Sequence, residues 1–509
     1  MRFHVIKRKA PFPDDANQCV VLTIDNWDDF GYHTQFFVTY VDELGVTFSI
    51  GSTKIGKFGQ GETWFESAAD IEGGFEKLDD SLHFSLGQSS EFYESLLELG
   101  ESVSRSIGLG LNDLVFREDL LEPALREKVT WKSLLRNVSL TTVREQFTRL
   151  VSGGRRLVGF DFTYVQHGRS FRFKVDPEST PPSNVHAIIG ANGVGKTYLM
   201  RQMIKTLVTP QDTSDYFESK DQSFVGSALF GKVCSVSFSA FDELDDIVVP
   251  DQSIDSTKLS RIGLYNERRS ELNSESAGPK SPTDLAKEFS ASLLGLLRNK
   301  RSDKWNTAIA TLESDVIFRD KNLSNGRLAE LEDAELRTST EKLFRSLSSG
   351  HKIILLAITN LINIVEERTL VLIDEPESHL HPPLLSSFLR AVSELLIDQN
   401  GVAIVATHSP VVLQEIPSKC CWIISRFGQM LRIDRPDIET FGENVSVLTR
   451  EAFGLEVTRS GFHRLLQTYV DRKLSYEQIV NQFDQQLGGE AKALLRAMVA
   501  ESERAVAHD

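Results

Sequence analysis

The segment that most narrows what this chain can fold into is Gly190-Ala191-Asn192-Gly193-Val194-Gly195-Lys196-Thr197. It follows the apolar run Val185 to Ile189 and precedes the helix-patterned stretch Tyr198 to Leu207. A G-x-x-x-x-G-K-[ST] turn between a strand and a helix is a phosphate-binding loop. Its glycines let successive backbone N–H groups curl around a phosphate, and the start of the helix adds unpaired donors. Lys196 would neutralise charge on the β- and γ-phosphates, and the Thr197 hydroxyl can ligate Mg²⁺. Gly190, Asn192, Gly193, Gly195, Lys196 and Thr197 are therefore the expected nucleotide contacts, with Thr197 also a metal ligand. Further short apolar runs, Lys232 to Phe238, Leu370 to Ile373 and Val402 to Ala406, alternate with helical stretches. That is the pattern of an α/β fold built on a buried parallel sheet.

A triphosphate and its magnesium also need carboxylates. Leu370-Val371-Leu372-Ile373-Asp374-Glu375-Pro376 supplies them: four apolar strand residues, then two adjacent acids. Asp374 suits the Mg²⁺ shell, and Glu375 suits polarisation of a water. Upstream, Leu347-Ser348-Ser349-Gly350-His351 opens the apolar helix Lys352 to Val365. Downstream, Val402 to Thr407 is a strand ending at His408-Ser409-Pro410. Taken alone, the first of these reads equally as a serine-capped helix start and the second as a strand ending in a core histidine.

In this order, phosphate loop, signature, Asp-Glu strand and terminal histidine, the chain resembles ABC-type ATPases over roughly Phe160 to Ser409. The resemblance implies ATP and Mg²⁺ as ligands and a composite site. Ser348, Ser349 and Gly350 would close on the γ-phosphate held by a second copy, and His408 would bond that phosphate and hold the water beside the catalytic Glu375. The protein would then be a nucleotide-dependent homodimer or a higher oligomer of dimers. Its signature departs from the family's common form, with Ser349 in place of glycine and His351 in place of glutamine, and Ser235 to Asp242 stands where the family's glutamine loop is expected. Together with Glu377-Ser378-His379-Leu380-His381-Pro382, these departures look like the stand-alone soluble ABC ATPases of DNA repair and anti-phage defence. The stretch Thr440 to Asn444 through Phe453-Gly454-Leu455, with the helices after it, is similar to the C-terminal region of PtuA-type ATPases of Septu defence systems. That likeness implies a separately encoded HNH nuclease as partner. A RecF-like repair ATPase acting on DNA ends or gaps, and an assembly scaffold that holds ATP without turnover, are the alternatives.

The 509 residues call for several domains: an α+β region over 1–150 contributing to the ATPase lobe, the phosphate-loop part over 151–207, a mainly helical insert over 208–345, the signature-to-histidine part over 346–410, and a mainly helical region over 411–509. In the insert, Ser281 to Leu297 and Leu328 to Phe344 read as short helices without sustained heptads, which argues against a long coiled-coil arm. Arg298, Lys300, Arg301 and Lys304 beside Trp305 form its densest basic cluster, a candidate contact for nucleic acid or an acidic partner, or else a solvated helix end. The net charge of −16, from 56 basic and 72 acidic residues, argues against general DNA coating. No apolar run reaches the length of a membrane span and no signal peptide opens the chain, so a cytoplasmic protein is expected. Cys19, Cys234, Cys420 and Cys421 contain no C-x-x-C pair and read as reduced thiols. Nor does the region after His408 carry the strand-borne acids of a nuclease; Leu431 to Asp437 has the wrong spacing.

Overall fold

The computed structural model describes every residue except 9, 14–16, 26–27, 30, 60–64, 67–70, 72, 154–158, 210–213, 220–228, 239–256, 266–278, 299–300, 428–429, 455–460 and 509. The fold is α/β. Its main sheet has seven strands in the order Lys258–Ile262, Lys232–Ser237, Thr369–Asp374, Val402–Thr407, Val185–Ile189, Cys421–Phe427 and Met430–Asp434. All neighbours are parallel except the last pair, an antiparallel hairpin. Parallel strands covered on both faces should be buried and largely apolar, and the three central ones, Thr369–Asp374, Val402–Thr407 and Val185–Ile189, are buried at every residue. Val371 and Ile373 join one core with the signature helix Ser349–Ile364 and the helix Pro382–Asp398, while Leu370 and Leu372 join the opposite core with the helix Lys196–Val208.

Onto that second core packs a three-stranded antiparallel sheet, Tyr216–Ser219, Phe160–Gln166 and Arg169–Val175, whose tight turn uses His167 at φ +47° and Gly168 at φ +76°. The helical part of the insert begins at Pro282. Its helices Pro282–Arg298, Ser302–Leu312, Val316–Lys321 and Asp333–Ser346 lie against the first core, and the longest has 17 residues.

Residues 2–151 fold around their own core beneath a five-stranded sheet ordered Arg2–Ile6, Cys19–Ile24, Gln35–Val41, Thr47–Lys57 and His83–Gly87. The apolar alternation over Val46 to Ile50 predicts a short strand, but the strand runs on to Lys57, because polar residues beyond it are buried and paired: Lys54 Nζ reaches Asp29 Oδ2 at 2.6 Å and the Ser133 carbonyl at 2.8 Å. Helical patterning spans Phe92 to Leu114, and the structure breaks it at Gly100, φ +91°, into Ser90–Glu98 and Glu101–Gly110.

This region grips the main sheet at the turn just before Thr369. Buried Glu366 accepts from Ser139 N at 2.8 Å, Thr142 Oγ1 at 3.0 Å and Lys232 Nζ at 2.7 Å, and Arg149 pairs with Glu367 at 2.5 Å. The C-terminal helices Gly461–Val470, Tyr476–Gln482 and Gly489–His508 share a separate small core through Leu466, Val470, Ile479 and Leu495. No helix among the described residues is long and apolar enough to cross a membrane. All four cysteines are buried thiols outside any disulfide.

Candidate nucleotide site

Strand register brings the sequence-predicted residues to one edge. Ile189 pairs with Thr407, Asp374 with Ala406, and Ser237 with Asp374, so the carboxyl ends of four strands are level. Ligands of open α/β sheets bind at that end. The loop that follows Ile189 has the shape its glycines predict. Gly193 and Gly195 sit at φ +78° and +105° with open space where a Cβ would project, a cradle that side chains would fill. At Gly190 a Cβ would stand 2.2 Å from the Ile424 carbonyl, so only glycine passes beneath the neighbouring strand. The buried Lys196 folds back over the loop, its Nζ donating to the carbonyls of Gly190 at 2.9 Å and Ala191 at 3.1 Å. Burial lowers its ammonium from the ordinary lysine range, while Glu375, Asp374 and Glu377 pull it back up.

Three carboxylates therefore face one lysine. A triphosphate could enter such a site only with a divalent cation, and the oxygen donors present suit Mg²⁺. Thr197 and Asp374 line one small cleft with Ser235 and Ser237. Those two serines come from the strand standing where the family's glutamine loop was expected; residues 239–242 of that loop lie outside the described residues. Ser235 and Ser237 had not been singled out as site residues, although alternate serines on an otherwise apolar strand were the available signal.

Glu375 leaves the strand in the left-handed region, φ +44°, ψ +56°, and its N–H donates to the Ala406 carbonyl at 2.9 Å. For a residue with a Cβ this conformation costs about 1 to 2 kcal/mol. It turns the side chain out of the sheet to 3.8 Å from His408 Nδ1. His408 is held by a residue that sequence reasoning gave no role. Part-buried Glu377 Oε1 accepts from Thr407 Oγ1 at 2.7 Å and His408 N at 2.6 Å, and it lies 3.0 Å from His408 Nδ1, out of line for a hydrogen bond. Only the Glu-Pro-Glu spacing hinted at it. Glu377→Ala should leave ATP binding within about twofold and slow hydrolysis roughly 10- to 100-fold, the usual effect of loosening a group that positions a reacting water. Phosphate release at saturating ATP measures this.

The signature residues sit at the start of the helix Ser349–Ile364, with Ser348 in the cap position. The reading as an ordinary serine cap fails, because the Ser348 side chain makes no capping bond and pairs with His351 Nδ1 at 2.6 Å. A Cβ on Gly350 would lie 2.6 Å from the His379 carbonyl, so the turn after Glu375 packs directly on the signature. The basic cluster of the insert is also corrected. Arg298 pairs with Asp333, Arg301 Nη1 donates to the Ile362 carbonyl at 2.6 Å, and Lys304 pairs with Glu91 and, at 2.7 Å, with Asp398. These cations are spent within the fold, and Trp305 is buried among them; Lys300 lies outside the described residues.

A family model described as "AAA domain, putative AbiEii toxin, Type IV TA system" matches residues 185–414. Protein ea59 of Escherichia phage lambda is 38% identical over an alignment of 525 positions covering 98% of both chains. The Retron Vc95 probable ATPase of Vibrio cholerae serotype O1 biovar El Tor is 24% identical over 259 positions, 46% of each chain. A solved metal-chelate type ABC transporter in an inward-facing conformation covers 54% of this chain and 83% of its own at 14% identity, with a TM-score of 0.26, too low to bear on the fold. The chain thus belongs to the family of phage lambda protein ea59, and its phosphate loop, Asp-Glu strand and terminal histidine all lie within residues 185–414, the stretch that the AAA-domain family model matches.

Proposed function

We propose that the protein binds and hydrolyses ATP with Mg²⁺ at sites completed by a second copy of itself, and that opening and closing of this pair controls a separately encoded effector nuclease of the HNH class in anti-phage defence. The observation that carries the catalytic half is the level edge on which Lys196, Thr197, Asp374, Glu375 and His408 meet. The loop amides and Lys196 hold the phosphates, and Thr197 with Asp374 would hold Mg²⁺, which when bound spreads the charge developing on the transferred phosphoryl group. Glu375 takes a proton from the attacking water, and His408, steadied by Glu377, keeps that water and the γ-phosphate aligned.

The defence half has separate support: the match to a retron probable ATPase and the toxin–antitoxin description of the family model, beside the sequence resemblance of the stretch Thr440 to Leu455 to PtuA-type ATPases. Arg298, Arg301 and Lys304, from the densest basic cluster of the insert, are paired within the fold. The helices Gly461–Val470 to Gly489–His508 are the first candidate for docking the effector, since their core is their own and Phe462 and Leu465 are exposed.

The test is recovery of the tagged protein from cells, followed by ATPase and nuclease assays. The lone chain is expected to hydrolyse ATP without degrading DNA in Mg²⁺ or Mn²⁺, and a nuclease is expected to accompany it and change activity with ATP. DNA cleavage by the lone chain, abolished by a substitution within it, would overturn the two-protein reading. Hydrolysis stimulated severalfold by gapped or broken DNA, with no nuclease recovered, would point instead to the repair class.

A further inference from the structure

Ser348 belongs to a chain of polar groups drawn from three elements. Its Oγ lies 2.6 Å from His351 Nδ1, and His351 Nε2 lies 3.0 Å from Asp315 Oδ1. Asp315 is fixed independently. It caps the insert helix Val316–Lys321, accepting from Ile317 N at 2.8 Å and Phe318 N at 3.4 Å, and its Oδ2 lies 3.5 Å from His381 Nε2. Burial raises its carboxyl, but the hydrogen bonds from His351 and the two amides outweigh that and hold it below the usual carboxylate range.

An ionised carboxylate only accepts hydrogen bonds, so His351 Nε2 carries a proton and donates it to Asp315. In the neutral imidazole Nδ1 is then an acceptor, and the Ser348 hydroxyl proton points at it. That proton is the one the signature serine needs for a phosphate oxygen. If it turned outward while the ring stayed neutral, lone pairs of Oγ and Nδ1 would face each other at 2.6 Å.

We propose that His351, oriented by Asp315, is a positioning residue for Ser348, and that engagement of the partner copy's γ-phosphate is accompanied by uptake of one proton from solvent on His351 Nδ1. The imidazolium then donates to Ser348 Oγ through Nδ1 and to Asp315 through Nε2, and the serine hydroxyl is released to the phosphate. No heavy-atom bond changes, and the balance is one proton gained by the ring. This rests on the composite-site reading above. Among the described residues, the titratable groups facing the ring are Asp315 from the insert and, beyond it, His381 from the segment after the Asp-Glu strand, at 6.5 Å between rings; Phe318 covers it at 5.1 Å, and Lys352 is its neighbour in the helix. A glutamine at 351 could rotate its amide to donate or accept and would need no proton.

The sign follows from linkage: the closed pair, with one His351 at each of its two sites, binds up to two protons more than the open one, so closure is favoured at low pH and weakens as pH rises. The experiment measures ATP-driven self-association by sedimentation between pH 6.0 and 8.5, in a Glu375→Gln background that limits turnover, with Mg–ATP binding followed in the same samples. The association constant should fall as pH rises, with a limit of about tenfold per pH unit for each proton, hence about 100-fold for the two sites of a pair. Adding His351→Gln should retain association and flatten this dependence; ionisations elsewhere, the nucleotide's included, are common to both proteins and cancel from the comparison. Asp315→Asn, which keeps the imidazole but removes the charge stabilising its protonated form, should move the fall to lower pH, and it serves if His351→Gln does not fold. An unchanged pH dependence in the folded variants would overturn the relay and leave the composite site standing. ATP binding without association at any pH in any of the proteins would overturn the composite site, and the relay with it.

Discussion

Glu375→Gln protein should bind ATP about as tightly as the wild type and hydrolyse it at least about 100-fold more slowly, the lower range of what a positioned general base contributes. The substitution keeps the side chain's length and shape while removing its capacity to take a proton. The left-handed turn at φ +44° and the backbone bond to Ala406 do not depend on the carboxylate, so its geometry should survive. The loop glycines and Lys196, which meet the phosphates, are untouched. Losing one of the three carboxylates that face Lys196 should, if anything, strengthen binding of a polyanion. Calorimetric titration with ATP and a phosphate-release assay separate the two effects. Wild-type turnover in the variant would take Glu375 out of the catalytic role; loss of binding together with turnover would mean that it ligates the nucleotide or its metal.

What could be read in advance divides along physical lines. Lys196, Asp374 and His408 were legible because each closes a local pattern, an apolar strand followed by the residue its chemistry needs. Asp315 was not, because it meets His351 across 36 residues of sequence and in its own neighbourhood looks like a helix cap, which it also is. Glu377 was quoted as part of a motif, but only the fold shows that its carboxylate carries the backbone of His408. The strand Arg2–Ile6 escaped notice since its charged and polar residues mask the alternation, and only the parallel partner Cys19–Ile24 makes it a strand. Two strands after residue 420 were missed for the same reason: Arg426, Arg432 and Asp434 interrupt the apolar run, yet Ile424 and Trp422 complete the core beneath the phosphate-loop strand. The basic cluster erred in the opposite direction. Lysines and arginines close in sequence suggest a surface, and here the fold had already supplied a carboxylate or a carbonyl for each described member.

Ser348→Arg should abolish hydrolysis in the purified protein, and mixing it with equally inactive Lys196→Ala protein should bring activity back. The reason lies in where the two residues sit. Lys196 touches the carbonyls of its own loop and is drawn toward Asp374 and Glu375, whereas Ser348 opens a different helix and contacts His351, next to the turn that follows Glu375. If Ser348 serves the nucleotide of a second copy, the two substitutions damage opposite halves of one interface. Arginine adds bulk and charge at an exposed helix start where a closed partner would have to fit. A mixed pair contains one site with both halves damaged and one with both intact. Random pairing at equal concentrations makes half the pairs mixed, each with one good site of two, so recovery should approach about a quarter of the wild-type rate. The Ser348→Arg protein alone should still bind ATP, and Lys196→Ala alone should not, because the ammonium that offsets the phosphate charge is gone. Each mixture is read against the sum of its separate components. Recovery above that sum establishes a site shared between copies. No recovery, with both proteins folded and pairing, would return the signature to its own subunit.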